Sequence, residues 1–187
     1  MIKITCLDFA YEKDKFIIKN FSGEFLKGER ICLRAPSGVG KTTFLRLIAS
    51  LEKPNKGKID ISKNLKLSFC FQENDLFPWY TALQNVSIVS DKKRAEEILS
   101  VFDLSDSLDK YPSELSGGMR KRVSLARAAA YKGDVLLIDE GFTGIEKELK
   151  IRIMDYLKEE FKNSLIIFST HDDFEEEYFK TRTVYIK

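Results

Sequence analysis

The sequence predicts an α/β fold in which a mostly parallel sheet is flanked by helices, with an antiparallel β region at the N-terminus and an inserted block of helices. Three observations support this prediction. Residues 2–9 and 16–25 alternate apolar and polar side chains, as antiparallel strands with one covered face do. From residue 134 onward, short β-branched apolar runs alternate with helix-like segments, which is typical of a parallel sheet covered on both faces. Between these regions, residues 83–130 show mainly helical patterns.

Periodicity and turn residues place the individual elements in order along the chain. We expect strands at residues 2–9, 16–25, 31–33, 58–61, 66–71, 135–138, 165–169 and 184–186. We expect helices at residues 44–49, 83–89, 92–102, from 116 onward, at 147–162 and at 172–179. The whole chain, residues 1–187, is then one domain with a helical subdomain inserted at about 74–130.

Composition limits the possible functions. The 187 residues are 43% hydrophobic, which suits one domain that buries a core of its own. Lys and Arg number 31 against 29 Asp and Glu, with no basic block, so we expect no nucleic-acid partner. No signal-peptide pattern and no membrane-spanning apolar run is visible. We therefore expect a cytoplasmic protein that reaches a membrane only through a partner.

Three cysteines, Cys6, Cys32 and Cys70, lie in apolar strand-like runs. Their number is odd, and their wide spacing matches neither a metal site nor a redox motif. We expect all three to be reduced residues of the core.

A glycine-rich segment joins the predicted strand 31–33 to the predicted helix 44–49. Its residues are Ala35, Pro36, Ser37, Gly38, Val39, Gly40, Lys41, Thr42 and Thr43. Strand, glycine loop and helix in this order are the context of a phosphate-binding P-loop, where backbone N–H groups and a lysine bind phosphates and a threonine hydroxyl binds Mg²⁺. Ala35 replaces the usual first glycine, which is compatible with the motif if its φ is negative. The alternative is a glycine-rich turn with an incidental lysine.

Polar side chains follow three other predicted strands. Asp139 and Glu140 come after the apolar run 135–138, and Gln72 follows the strand 66–71. His171, the only histidine, follows the strand 165–169. Open α/β folds bind ligands at the carboxyl ends of their strands, where Asp139 and Gln72 can complete a Mg²⁺ shell. Glu140 can deprotonate an attacking water there, and His171 can contact a terminal phosphate. The alternatives are a solvated acidic turn and an ordinary loop histidine.

A second phosphate-binding candidate is the start of the helix near residue 116. Its residues are Ser116, Gly117, Gly118 and Met119. The first N–H groups of a helix have no intrahelical partner, and the helix dipole favours an anion there. From these residues alone, an ordinary serine-capped helix is an equal alternative.

Aromatic residues mark two further places of interest. Tyr11, at the tip of the first predicted hairpin, is a candidate to stack on an adenine ring, and simple packing is the alternative. Phe77, Trp79 and Tyr80 surround a proline. They pack the helical insertion on the sheet or line a groove for a partner.

Taken together and in order, these segments resemble the nucleotide-binding subunit of an ATP-binding cassette (ABC) transporter over essentially the whole chain. The matching parts are Tyr11, the P-loop at 35–43, Phe71-Gln72 as the Q-loop, 115–119 as the signature, 137–140 as the Walker B strand and 170–172 as the switch histidine segment. Residues 71–86 and Met119-Arg120 look most like the ATPases of nitrate, sulfonate and taurine importers. The fold implied is a P-loop NTPase of the ABC ATPase type.

The resemblance implies an ATP hydrolase that uses ATP and Mg²⁺ and works as a head-to-tail homodimer or as a heterodimer with a second cassette. Each ATP then lies between one subunit's P-loop and the other's Ser116, Gly117 and Gly118, which would explain a second phosphate site in a chain that already has one. The resemblance also implies a permease docking near Gln72 and Trp79, a solute-binding protein, and a peripheral location on the cytoplasmic face of the cell membrane.

The resemblance implies that Lys41, Thr42 and Thr43 bind the phosphates and Mg²⁺. It also implies that Gln72 and Asp139 complete the metal site. It makes Glu140 the general base and His171 the switch, and it gives Gln72 a catalytic role as well.

The sequence departs from the family pattern in several places. Gly141 replaces the usual proline, which would loosen the turn behind Glu140, and Glu146 replaces the usual D-loop aspartate. Lys121 stands where glutamine is common. Ala35, Gly141 and Glu146 leave a second function open, a degenerate ATP-binding or regulatory cassette with little or no hydrolysis. A soluble ABC protein of nucleic-acid repair or translation is disfavoured, since no coiled-coil insertion or second cassette is present.

Overall fold

The computed structural model describes residues 1–12, 15–36, 38–72 and 76–186. The strands are β1 (Ile2–Phe9), β2 (Ile18–Phe25), β3 (Arg30–Arg34), β4 (Lys56–Ile61), β5 (Leu67–Cys70), β6 (Val135–Asp139), β7 (Leu165–Ser169) and β8 (Arg182–Tyr185). The helices are α1 (Lys41–Ile48), α2 (Ala82–Ser87), α3 (Lys92–Val101), α4 (Gly117–Tyr131), α5 (Lys147–Glu160) and α6 (Asp173–Phe179). Two short 3₁₀ helices, Ser105–Ser107 and Pro112–Glu114, lie between α3 and α4.

Five strands form the parallel sheet, in the order β5-β6-β7-β3-β8. Every residue of β6 and β7 is buried. Strands that are covered on both faces need continuous apolar runs rather than alternation, and these two strands have such runs. The predicted parallel core sheet is confirmed.

The sheet separates two hydrophobic cores because successive residues of a strand point to opposite faces. Leu136 and Ile138 of β6 belong to the core formed with α2 to α6. Val135 and Leu137 belong to the core formed with α1 and the antiparallel sheet. The end of β6, with Asp139, is therefore fixed from both sides.

The antiparallel sheet has the order β2-β1-β4, as the N-terminal alternation predicts. The pairing of β1 shifts register between Thr5 and Asp8. Within this irregularity Cys6 has a φ of 46° and is exposed, whereas Cys32 and Cys70 are buried. The expectation that all three cysteines are core residues is therefore wrong for Cys6, because a bulge interrupts the strand alternation there. Burial raises the pKa of the Cys32 thiol to about 12.

The helical block lies between β5 and β6 in the chain. Its longest helix, α4, contacts α2 and α3 and also both of these strands. Apolar residues of the block, such as Val86, Ile98 and Val123, join the core on that face of the sheet. The start of α4 is thereby held at a fixed place relative to the strand ends. Among the described residues, no helix has both the length and the apolar character needed to cross a bilayer.

Candidate functional site

The predicted polar residues gather at the carboxyl edge of the parallel sheet. Gln72 follows β5, Asp139 ends β6, and His171 follows β7, while the loop after β3 leads to Lys41 at the start of α1. A cavity of about 430 Å³ lies at this edge. It is lined by Gly38, Gly40, Lys41, Thr42, Thr43, Gln72, Glu140 and His171. We call this space the P-loop cavity.

The loop before α1 turns on two glycines. Gly38 and Gly40 have φ angles of 79° and 82°, which favour glycine over other residues. Pro36 accepts a hydrogen bond from the N–H of Val39 at 3.2 Å, which closes the turn between them. Ser37 lies outside the described residues.

Ala35 meets the condition under which alanine can replace the first glycine of the motif. Its φ is not positive, so its methyl group causes no backbone strain. Its carbonyl accepts a hydrogen bond from Lys41 Nζ at 3.2 Å. Alanine at position 35 is therefore compatible with the backbone at the start of the loop.

The ammonium group of Lys41 lies inside the cavity, only 6% exposed, and is held by groups that anions can replace. Besides the Ala35 carbonyl, it contacts His171 Nε2 at 3.0 Å. An ammonium group has donors only, so Nε2 accepts and the proton of a neutral imidazole is on Nδ1. The same Nε2 lies 3.5 Å from Glu140 Oε1.

The carboxamide of Gln72 links the P-loop helix to the acidic strand end. Its Oε1 accepts a hydrogen bond from Thr42 Oγ1 at 3.4 Å. Its Nε2 donates to Glu140 Oε2 at 3.3 Å. Lys41, Thr42, Gln72, Glu140 and His171 thus form a continuous ring of contacts around the cavity.

Asp139 is almost fully buried, at 1% exposure, and only one of its carboxylate oxygens is satisfied. Ser169 Oγ donates a hydrogen bond to Asp139 Oδ1 at 2.6 Å and accepts one from the Glu140 N–H at 3.0 Å. Oδ2 of Asp139 has no hydrogen-bond partner among the described residues. An unpartnered buried carboxylate oxygen fits a hard divalent cation such as Mg²⁺, although Asp139 itself is not among the residues that line the P-loop cavity.

No group of three or more His, Cys, Asp or Glu side chains in the described ranges could hold a metal ion by itself. Mg²⁺ usually takes one or two carboxylates together with substrate phosphates and water. Ser169 was not singled out by the sequence, because a serine that ends an apolar strand gives no signal until the neighbouring strand is known.

The backbone after Asp139 turns sharply. Glu140 has a φ of 50°, and a Cβ built on Gly141 would lie 2.3 Å from Ile138 Cγ2. Glycine at position 141 thus allows a close approach to the strand, so the turn behind Glu140 is tightly packed, contrary to the expectation that it is loosened.

A partly buried ionic cluster supports the segment that carries His171. Lys150 Nζ, on α5, donates to Asp172 Oδ2 at 2.9 Å and to Glu175 Oε1 at 2.6 Å. Thr170 Oγ1 donates to Glu175 Oε2 at 2.6 Å. The hydrogen bond from Lys150 lowers the pKa of the Asp172 carboxyl below its ordinary value. Lys150 and Glu175 were not singled out by the sequence, where they are two charges among many.

Tyr11 lies at the rim of the P-loop helix. It is 58% exposed, and its ring packs edge-on against Phe9 with the centroids 4.9 Å apart. Its hydroxyl lies 3.5 Å from Thr43 Oγ1. An exposed ring face beside the P-loop helix is available for stacking.

None of the residues at the start of α4 lines the P-loop cavity. Ser116 caps α4 by accepting a hydrogen bond from the Met119 N–H at 3.2 Å. Gly117 and Gly118 line another cavity of about 300 Å³. The other lining residues of that cavity are Gln72, Lys121, Glu140, Thr143 and Gly144. The plain serine cap is therefore present, but it leaves unexplained why two glycines follow it.

The aromatic turn after Gln72 is rigid at its base and exposed at its tip. Asn85 is fully buried and hydrogen-bonds the backbone on both sides of the turn, at Phe77 and Tyr80. Trp79 is 66% exposed. Residues 73–75, which precede the turn, lie outside the described residues.

Comparison with known proteins agrees with this geometry. The family described as "ABC transporter" matches residues 18–143. The glycine betaine/carnitine/choline transport ATP-binding protein OpuCA of Bacillus subtilis is 34% identical over 92% of this chain and 51% of its own length. The aliphatic sulfonates import ATP-binding protein SsuB of the same organism is 33% identical over 91% of this chain and 72% of its own length. The chain thus spans about half the length of some curated relatives that it matches.

A solved structure resembles the fold over its whole extent. It is a dimeric ATP-binding cassette in a post-hydrolysis state bound to ADP and Pi, with a TM-score of 0.89 and 28% sequence identity. The match covers 100% of this chain and 94% of that one.

Proposed function

This chain belongs to the ABC transporter family, and on that premise we propose that it binds and hydrolyses ATP to energise solute import through a separate transmembrane permease. One observation carries the proposal: residues from three strand ends and the P-loop helix form a single ring of contacts around one cavity. Phosphoryl transfer needs positioning and charge stabilisation more than covalent chemistry, and such a ring supplies both.

The P-loop side of the cavity binds the nucleotide in this proposal. The residues are Tyr11, Ala35, Pro36, Ser37, Gly38, Val39, Gly40, Lys41, Thr42 and Thr43. The free N–H groups at the start of α1 bind phosphate oxygens, and Tyr11 stacks on the adenine. Lys41 exchanges the Ala35 carbonyl and His171 for β- and γ-phosphate oxygens, because a buried ammonium binds an anion more strongly than a carbonyl.

The metal site consists of Thr42, Gln72 and Asp139. The unpartnered Asp139 Oδ2 supports this assignment. These residues would hold Mg²⁺, which would supply positive charge to the phosphate oxygens. Ser169 keeps the Asp139 carboxylate in one orientation through its 2.6 Å hydrogen bond.

Glu140 is the general base. Its carboxylate is oriented by Gln72 Nε2 and takes a proton from the attacking water while the water oxygen bonds to the γ-phosphorus. The bond from that phosphorus to the bridging oxygen breaks, which leaves ADP and phosphate. His171, released from Lys41, directs a ring nitrogen at the γ-phosphate and so responds to its presence.

A head-to-tail dimer explains the glycines at the start of α4. A Cβ built on Gly117 meets nothing within 4 Å, and neither Gly117 nor Gly118 has a positive φ. Neither residue therefore has to be glycine for the fold of one chain. We assign Ser116, Gly117, Gly118 and Met119 to the ATP of a partner cassette, identical or different. The exposed Glu146, whose side chain does not cap α5, is available for the same interface.

Gln72 and the exposed Trp79 mark the proposed docking surface for the permease, because Trp is favoured at binding hot spots. The protein then works at the cytoplasmic face of the membrane, with a solute-binding protein delivering the solute to the permease. The import direction follows from the names of relatives such as SsuB.

We also propose that the whole chain is a single cassette domain with a helical subdomain at about 74–130.

The decisive experiment compares ATP hydrolysis by the wild type with that of Glu140→Gln. Loss of the general base is expected to lower kcat on the order of 10²- to 10⁴-fold with little change in ATP affinity. Glu148→Gln, at an exposed position of α5, is the matched control and keeps wild-type kcat. Equal hydrolysis by the wild type and Glu140→Gln, with ATP still bound, would favour the degenerate regulatory cassette instead.

A further inference from the structure

Lys121 is a buried cation in the first half of α4, close behind the signature glycines. It is 8% exposed, although lysine is seldom buried. Burying an ammonium group is costly unless its donors are satisfied. A lysine at this place therefore requires a compensating arrangement.

The compensation is made entirely by backbone carbonyls. Lys121 Nζ donates to Phe71 O at 2.7 Å, to Gln72 O at 2.8 Å and to Asp139 O at 3.4 Å. These three bonds use all three donors of the ammonium group. All of its described partners are carbonyls rather than carboxylates, so hydrogen bonds and not an ion pair compensate its burial.

The three carbonyls belong to the two strand ends that border the P-loop cavity. Phe71 and Gln72 continue from the end of β5, and Asp139 ends β6. Beyond its fixed carbonyl, the Gln72 side chain reaches Thr42 and Glu140 at 3.4 and 3.3 Å. Bonds of this length are near the upper limit of useful geometry, so a small movement of the Gln72 backbone would break them.

We propose that Lys121 is a positioning residue for the hydrolysis: its ammonium group fastens the Gln72 backbone to the end of β6, so that the Gln72 carboxamide stays between Thr42 and Glu140. These hydrogen bonds come from a residue of α4, so they connect the signature helix to the cavity within one chain. This inference rests on the proposed ATPase function. It also explains why lysine is used at this position, since the two amide donors of a glutamine cannot reach three carbonyls on two strands.

The test is a double-mutant cycle between Lys121 and Gln72 with steady-state ATP hydrolysis as the readout. Lys121→Met keeps the length of the side chain and removes its donors. It is expected to lower kcat about tenfold while KM for ATP changes less than about twofold, because misplacement of a positioning group affects the reaction more than binding. In a Gln72→Ala background, the same substitution is expected to change kcat less than about twofold, because the group that Lys121 positions is gone.

Two further variants separate positioning from a general effect on folding. Lys121→Gln restores part of the donor set and is expected to recover part of the lost kcat. Lys132→Met, at the exposed far end of the same helix, is the matched control and keeps wild-type kcat. Hydrogen exchange of residues 67–72 is expected to accelerate in Lys121→Met, with residues 30–34 unchanged.

The outcomes of these experiments decide whether Lys121 has a positioning role. Wild-type kcat in Lys121→Met, or an equal loss with and without the Gln72 side chain, would overturn the positioning role and leave the proposed function intact. If Lys121→Met does not fold, the same comparison is made with Lys121→Gln, where strict additivity with Gln72→Ala has the same meaning. A wild type no more active than Glu140→Gln would overturn the proposed function, and the inference with it.

Discussion

The P-loop and the start of α4 are both helix N-termini rich in glycine, yet they differ in how the rest of the chain surrounds them. At the P-loop, Lys41 lies within hydrogen-bond distance of His171, and Gln72 bridges Thr42 to Glu140. At the start of α4, Gly117 is exposed and meets no other group within 4 Å of a built Cβ. The first site is surrounded by side chains that contact one another, whereas the first glycine of the second site is exposed and has no close neighbour.

The fold of one chain requires the glycines of the first region but not Gly117 of the second. Gly38 and Gly40 have positive φ angles, and Gly141 has no room for a side chain, so the fold itself requires them. The fold of one chain makes no such demand on Gly117. A glycine that the fold does not require is expected where another molecule approaches the backbone closely. The comparison therefore separates a site used within the chain from one used between chains.

The largest expected effect comes from Ser116→Arg. The arginine would occupy the space of the partner's nucleotide without touching the P-loop cavity, so ATP binding at Lys41 is expected to stay near wild type. ATP-driven dimerisation and turnover are expected to be lost. Nucleotide binding by fluorescence titration and dimerisation by light scattering measure the two effects. Ser100→Arg, at an exposed position of α3, is the control, and loss of nucleotide binding in Ser116→Arg would mean that the site acts within its own chain.

A smaller effect is expected from Ser169→Ala inside the enclosed site. It removes the hydrogen bonds to Asp139 and to the Glu140 N–H. Loss of a group that orients a metal ligand is expected to weaken the apparent Mg²⁺ affinity about 10- to 100-fold. The Mg²⁺ dependence of hydrolysis measures this change. Ser164→Ala, just before β7 and far from the cavity, should leave the Mg²⁺ dependence unchanged.

Alanine substitutions at Gly141 and Gly117 test, through the free energy of unfolding, whether the fold requires the first glycine and not the second. Gly141→Ala forces a methyl group against Ile138 and is expected to reduce the free energy of unfolding by about 1–3 kcal/mol. Gly117→Ala is expected to leave it unchanged or to raise it by less than about 1 kcal/mol, because alanine favours a helix. Urea unfolding of the nucleotide-free protein measures both. Equal destabilisation by the two substitutions would contradict the distinction between the regions.

The smallest expected effect concerns the cluster beneath His171. Because the hydrogen bond from Lys150 lowers the pKa of Asp172, its carboxylate contributes stability above the ordinary value of 3.8. That contribution is lost as the pH falls through the lowered pKa. Asp172→Asn is therefore expected to lose less stability than the wild type between pH 5 and acid pH, measured as Tm against pH. Asp106→Asn, at an exposed position of the 3₁₀ helix Ser105–Ser107, is the control and should follow the wild-type curve.

Much of the site followed from the sequence because its parts lie in consecutive segments. A P-loop is a local strand, loop and helix, and polar residues that follow apolar strands must reach the same edge of a parallel sheet. Asp139, Gln72 and His171 could therefore be grouped before their distances were known. The bulge that exposes Cys6 could not be foreseen, since it depends on pairing with two other strands.

The sequence by itself determined the class of fold, the P-loop and the set of polar strand ends, because periodicity and local motifs are properties of neighbouring residues. Only the tertiary structure decided which side chains support them. Ser169 meets Asp139 across two strands, Lys150 reaches Asp172 from another helix, and Lys121 joins α4 to two strand ends. The physical reason is that a buried polar group must find partners wherever the fold brings them, and these partners are far apart in the chain.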